Sequence, residues 1–191
     1  MEKIRLGVAM CGSFCTFSKA VKEIEQLAQE GYDLYPIMSE ISYSTDTRFG
    51  KAQDFIDQVE GICERRIIHT IPQAEPIGPK KLLDVLLIMP CTGNTLGKIA
   101  AGITDTAVTL ACKSHRRNRR PVVLAVSTND ALSGSGGSIG KLMNDKLIYF
   151  VPMGQDDPEN KESSLVADFS LAGQAVRMAL EGKQMQPLFF T

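Results

Sequence analysis

The chain has no tryptophan and only two histidines, His69 and His115. Their spacing fits no zinc-ligand pattern, and the five cysteines (Cys11, Cys15, Cys63, Cys91 and Cys112) form no CxxC pair, so no metal site is expected. An odd cysteine count without an export signal predicts reduced thiols and a cytoplasmic protein, which excludes a disulfide framework. Long hydrophobic runs are missing as well: none approaches the roughly 20 residues that span a bilayer, so no membrane partner is expected. The opening MEKIRLGVAMCGS ends its short apolar run at Cys-Gly-Ser and reads as a first strand, not as a signal peptide. Nor is there an excess of either charge. With 21 Lys and Arg against 22 Asp and Glu, the net charge of -1 gives no whole-protein field that would attract nucleic acid.

What is present is an alternation of apolar runs and amphipathic stretches. IRLGVAM (4–10), VLLIM (85–89), PVVLAVS (121–127) and LIYFVP (147–152) read as buried strands. DLYPIMS (33–39) is a further strand, with Pro36 counting against a fully paired central position, and RRIIHTI (65–71) is a candidate third strand. Phe17, Ala20, Val21, Ile24, Leu27 and Ala28 recur at helical spacing up to a stop at Gly31, and Ala52, Phe55, Ile56, Val59 and Ile62 do the same. One long helix is expected over Leu96, Ile99, Ile103, Ala107 and Ala111, and a closing helix over 165–181. PQAEPIGP (72–79) and GQDDPENKESS (154–164) read as loops, as does the first part of 129–144, with a short helix at its end. Short connections between alternating elements predict an α/β fold. It is a single doubly wound, three-layer domain over 1–191 with a six-stranded, mainly parallel sheet. The tail, 183–191, is apolar for a terminus and packs either on a neighbouring protomer or on its own core.

In such sheets ligands bind beyond the carboxyl ends of the strands. Four of those ends carry short polar side chains and glycine: Gly12, Ser13, Phe14, Cys15 and Thr16; Ser39, Glu40, Ser42 and Ser44; Cys91, Thr92, Gly93, Asn94 and Thr95; and Ser127, Thr128 and Asn129 before a Gly/Ser run. Helix N-termini there add free N–H groups, so a phosphorylated ligand with a large polar ring suits the set. The same residues also read as helix caps: Ser13 and Thr16 for the first helix, Asn94 and Thr95 for the third. Neither GxGxxG nor GxxxxGK[ST] occurs, which disfavours a dinucleotide or triphosphatase site. Cys91 is either a helix-start thiol of lowered pKa or an inert buried one. Lys98 faces the site if the helix begins where it is read. RRNRR (116–120) reads as a solvated helix end or a dock for an acidic partner. His69 is one of only two side chains suited to proton transfer near neutral pH.

Pro90-Cys91-Thr92-Gly93-Asn94-Thr95, followed by Lys98, Ala100, Gly102 and Asp105, resembles the P-A-S-A-N-T…K…A-x-G…D signature of the flavoprotein family, which includes flavin-dependent cysteine decarboxylases and flavin prenyltransferases. Gly12-Ser13 and Ser39 match its flavin-loop positions, and the likeness covers about residues 4–150. The resemblance implies a Rossmann-like fold binding FMN between protomers in trimers or multiples of trimers. It implies cofactor contacts from Gly12, Ser13, Phe14, Cys15, Ser39, Pro90, Cys91, Thr92, Asn94, Thr95, Ser127 and Asn129, with Asn94 and His69 as catalytic candidates. The stretch Val126-Ser127-Thr128-Asn129 stands where the decarboxylases have P-x-M-N, so only Asn129 of that motif remains. Finer likeness in IRLGVAMCGSFCTF, PIGPKKLLDVLLIMPCTGNTLGKIA and STNDALSGSGGSIGKLMN implies one component of an oxidoreductase that acts on a small cyclic dicarboxylate, with a partner chain carrying NADP. Two alternatives stay open: a decarboxylase of a cysteine-like acid, and a non-catalytic partner module.

Overall fold

The apolar runs become strands because they are flanked on both faces. In the computed structural model, which describes residues 3–190, every residue of β3 (Val85–Cys91) is buried, as are all but the last of β4 (Val122–Thr128). These two strands form the centre of the sheet. β1 (Arg5–Met10) lies in parallel register beside β3, with Leu6 opposite Val85, and β2 (Asp33–Met38) lies outside β1. On the other side of β4, its first half pairs in parallel with β5 (Ile148–Phe150). Its last two residues, Ser127 and Thr128, pair antiparallel with β7 (Leu165–Ala167), which in turn pairs with β6 (Met153–Gly154). Among the described residues the sheet has seven strands, one more than the six expected, its body parallel and its β6–β7 hairpin antiparallel.

The helices are α1 (Phe17–Gln29), α2 (Glu40–Ser44), α3 (Ala52–Cys63), α4 (Ile71–Ala74), α5 (Gly93–Ala101), α6 (Ala107–Arg117), α7 (Gly136–Met143) and α8 (Ala172–Leu180). They cover both faces of the sheet. α1 packs beside α3 and is tied to α8 by the Arg177–Glu30 ion pair at 2.7 Å. α6 packs beside α4 and α5, and α5 beside α7. Core contact is close enough that a Cβ on Gly7 of β1 would lie 2.6 Å from Leu83 Cδ1.

Several elements differ from the sequence expectation. The run 65–71 contributes a single bridge, Ile37 to Ile68, and no strand. Ile68 N–H donates to the carbonyl of Pro36, so that edge of β2 is the one where proline has no N–H to give, and a continuous ladder cannot form. The segment 72–79 is not all loop: Thr70 and Gln73 form a capping box on α4, proline takes a first-turn position where no donor is needed, and a 3-10 turn follows over Glu75–Ile77. The long third helix is two helices. α5 stops at Gly102 in the left-handed region (φ 75°), and Thr106 restarts the chain as the cap of α6. The closing helix begins only at Ala172, because 165–167 form β7 and Asp168 caps a 3-10 turn over Phe169–Leu171. The tail runs along β6, with Met153 N–H donating to Leu188 O at 3.0 Å and Phe190 N–H to Met153 O at 3.2 Å. Thr191 of that tail lies outside the described residues.

The arginine cluster is not simply solvated. Arg116 pairs with Asp145, and Arg120 with Asp84, which also binds Arg5 at 2.7 Å. His115, within the same helix end, is 1% exposed, and its Nε2 lies 3.0 Å from the Pro121 carbonyl. Burial pushes its pKa down from 6.5 to about 4, against the pull of that hydrogen bond. A folded-state value below the unfolded one means the unfolded chain binds the extra proton. Stability is therefore complete above pH 6.5 and declines as pH falls toward 4, by up to about 3 kcal/mol from this group. Urea titrations at pH 7 and pH 4.5 are expected to show that loss, and a His115→Gln variant is expected to flatten the slope between them.

Candidate functional site

At the carboxyl ends of β1, β2, β3 and β4 the buried apolar side chains give way to hydroxyls. The four ends enclose two adjoining lobes. The smaller, about 410 Å³, lies between the ends of β1, β2 and β3 and is lined by Gly12, Ser39, Thr95 and Lys98, with Glu40 at its exposed rim. The larger, about 720 Å³, lies between the ends of β1, β3 and β4 and is lined by Ser13, Ser127, Thr128, Asn129 and Asp130. Gly12, Thr92 and Asn94 line both. Each is in the size range of ordinary small-molecule sites.

Local hydrogen bonds fix the walls. Ser13 Oγ and Ser127 Oγ, from the ends of β1 and β4, are 2.8 Å apart. Ser39 accepts from Ser42 N–H as the cap of α2, and the two hydroxyls are 2.7 Å apart. Thr92 caps α5 by accepting from Thr95 N–H, so Asn94 is not the cap. Its exposed side chain stands on the ridge between the two lobes. Lys98 donates to both oxygens of Asp105 at 2.9 Å, which keeps its head near the smaller lobe.

At the start of α5 the β4–α7 loop comes directly against the helix. Asp130 Oδ1 accepts from Thr128 Oγ1 at 2.6 Å and from Ser135 Oγ at 2.9 Å. These donors, Thr128 foremost, hold the Asp130 carboxyl below the usual carboxylate range. A Cβ on Gly93 would lie 2.4 Å from Ser135 Oγ and 2.8 Å from both Asp130 Oδ1 and Thr128 Oγ1. Only glycine lets the helix start this close to the loop.

Gly12, Ser13, Phe14, Cys15, Ser39, Thr92, Asn94, Thr95, Ser127 and Asn129 all line one lobe or the other. Pro90 and Cys91 do not. The Pro90 carbonyl accepts from Cys11 N–H within the sheet, and Cys91 is fully buried, where desolvation pushes its thiol well above the ordinary value. A helix-start thiolate at Cys91 is thereby excluded. Cys11, at the floor of the smaller lobe, is likewise raised to about 11 by burial. His69 lines neither lobe; it stacks on Tyr43 of α2 with ring centres 3.6 Å apart. Sequence reasoning missed Lys19, Asp130, Asp156 and Lys161, which line the larger lobe. Asp130 was within reach, one residue past Asn129. Asp156 and Lys161 were not, since the antiparallel pairing of β7 is what carries their loop to the cleft.

With this geometry in place, comparison with known proteins gives a consistent answer. Residues 1–138 match the family described as Flavoprotein. The chain belongs to the Flavoprotein family. It is 42% identical over 184 residues to the B subunit of dipicolinate synthase from Bacillus subtilis (strain 168), covering 96% of this chain and 92% of that protein. The crystal structure of the corresponding B subunit from Bacillus halodurans superposes with a TM-score of 0.91 at 38% identity, over 100% of this chain and 99% of that one. The FMN-dependent cysteine decarboxylase SpaF shares the fold, with a TM-score of 0.70 at 18% identity over 94% and 97% of the two chains. Within the stretch that matches the family, the start of α5 is tightly packed, and it yields a direct test. Gly93→Ala is expected to cost about 1–3 kcal/mol by overpacking against Ser135, Thr128 and Asp130. Equilibrium urea denaturation measures it, and an unchanged midpoint would contradict the contact.

Proposed function

We propose that this chain is the B subunit of a dipicolinate synthase. In this reading it takes part, during sporulation, in oxidising a dihydrodipicolinate-type precursor to dipicolinate, together with an A subunit that carries NADP. The observation that carries the reading is likeness along the whole chain: 42% identity to the Bacillus subtilis B subunit extends over 96% of its length. The cleft supports it by its chemistry. A ring dicarboxylate and a phosphorylated cofactor both need many neutral donors, and the lobes supply Ser13, Ser39, Thr92, Asn94, Thr95 and Ser127. Oxidation of the precursor removes a hydride and a proton. NADP⁺ on the partner would accept the hydride, the proton would leave to solvent, and the new aromatic ring would supply much of the driving force. This chain's part is to hold and orient the ring.

The residues fit FMN. The smaller lobe offers hydroxyls at Ser39 and Thr95, the Lys98 ammonium and a Cβ-free wall at Gly12, with its acid, Glu40, confined to the exposed rim. Gly12, Ser13 and Ser39 would hold the phosphate, with Asn94 and Thr95 at the ring edge. Bound FMN would supply reversible hydride and electron transfer. The position of His69 weighs against the decarboxylase alternative, which needs a base in the cleft.

Two experiments test the reading. Absorption spectra and FMN titration of the purified chain are expected to show one flavin per chain, and Asn94→Asp, which puts a negative charge on the ridge, is expected to weaken binding about tenfold or more. The chain mixed with its nicotinamide-binding partner is expected to form dipicolinate from the precursor when NADP⁺ is added. Full activity of that partner by itself would overturn the catalytic role and favour a non-catalytic module. Carbon dioxide release from a cysteine-like acid would favour the decarboxylase.

A further inference from the structure

The larger lobe holds two charges that no ion pair neutralises among the described residues. Asp156 is not one of them, since Lys161 pairs with it at 2.8 Å and Ser164 donates to it at 2.5 Å. Asp130 is different. Its Oδ1 takes two hydroxyl donors, but among the described residues no cation pairs with it. Lys19, from the first turn of α1, lines the same lobe, and among the described residues no carboxylate pairs with it. The carboxylate is fixed: two hydroxyls hold it, and Gly93 of α5 abuts it, so it does not swing away to solvent as a surface aspartate does. A rigid anion and a flexible cation sharing one lobe match a ligand that itself carries both charges.

We propose that Asp130 selects for a nitrogen heterocycle, receiving a hydrogen bond from a protonated ring nitrogen of a cyclic dicarboxylate while Lys19 meets one of the ligand's carboxylates. The proposal rests on the reading above that the ligand is a ring dicarboxylate, and adds which ring chemistry the site distinguishes. Asp130 acts here by recognition: with two donors on Oδ1 it is held as the carboxylate, an acceptor of fixed direction, and it is not asked to take the proton. A carbocyclic dicarboxylate of the same shape offers Lys19 the same partner but leaves Asp130 facing a C–H, with its charge desolvated and unmet.

The test is calorimetric titration of the full-length chain, with and without saturating FMN, using two probes. cis-Piperidine-2,6-dicarboxylate carries the protonated ring nitrogen; cis-cyclohexane-1,3-dicarboxylate has the same ring shape and the two carboxylates without it. The wild type is expected to bind the nitrogen ring about tenfold or more tighter. Asp130→Asn is expected to bring the two affinities to within about threefold, by weakening the nitrogen ring and by sparing the carbocycle the cost of an unmet charge. Ser135→Ala removes a donor to Asp130 and keeps the charge, so it is expected to retain the preference. Equal binding of both probes by the wild type overturns the role of Asp130 and leaves the dicarboxylate reading standing. Binding of neither overturns both. If Ser135→Ala loses the preference as completely as Asp130→Asn, the residue is a structural clamp and the proposal fails.

Discussion

The site depends on the absence of one side chain. Gly93 begins α5 where the loop from β4 passes, and the hydroxyls of Thr128 and Ser135 and the carboxylate of Asp130 occupy the space in which a Cβ would sit. That close approach brings the end of β3 and the end of β4 to a common wall. The Ser13–Ser127 hydroxyl pair joins the end of β1 to the same wall. Because β3 and β4 are buried along nearly their full length, polar groups are excluded from the body of the sheet and collect where the strands end. Fold and cleft are thus two consequences of one packing arrangement.

Much of this was legible in the residues, for identifiable reasons. Short hydroxyl and amide side chains directly after apolar runs mark strand ends in an α/β sheet, and ten of the flagged residues line the two lobes. The failures have physical causes too. Apolar spacing runs on through Gly102, so two helices looked like one; the left-handed backbone at that glycine is invisible to periodicity. Leu165 and Ala167 fit a helical stripe as well as a strand face, and only pairing with Ser127 and Thr128 decides between them. That pairing also turns the polar loop 154–164, which has the composition of a solvated connection, into part of the cleft wall. Pro90 and Cys91 belong to the signature but serve the sheet, one through a backbone carbonyl and the other as buried filling.

The same structure constrains what chemistry the cleft performs. No histidine lines either lobe: His69 is stacked on Tyr43, and His115 is sealed beside Pro121. The thiol at the floor, Cys11, is held protonated at neutral pH by burial. The acids lining the larger lobe, Asp130 and Asp156, are both held below the ordinary carboxylate range, so both stay ionised. A cleft whose buried thiol stays protonated and whose fixed acids stay ionised around neutrality is suited to binding and orientation, and poorly suited to shuttling protons. Such a site is useful where the electron-accepting chemistry is supplied by a cofactor or by another chain. That is why one component of an oxidoreductase, working with a nicotinamide-binding partner, agrees with the residues better than a self-sufficient decarboxylase does.

The decarboxylase motif differs from this chain at the end of β4. Where P-x-M-N would place an apolar methionine behind a proline, this chain has Val126-Ser127-Thr128-Asn129 followed by Asp130. The Ser127 hydroxyl is engaged by Ser13, and that of Thr128 by Asp130. An apolar lining accepts a hydrocarbon or thioether arm at small cost, but a lining of hydroxyls around a fixed carboxylate penalises one, because each polar group would lose water without regaining a partner. The polar lining at the end of β4 therefore suits a polar ligand better than an apolar arm, on a fold shared with the decarboxylase SpaF. It does so at a position that the Gly93 contact holds rigid, where a change of polarity cannot be absorbed by the loop moving away.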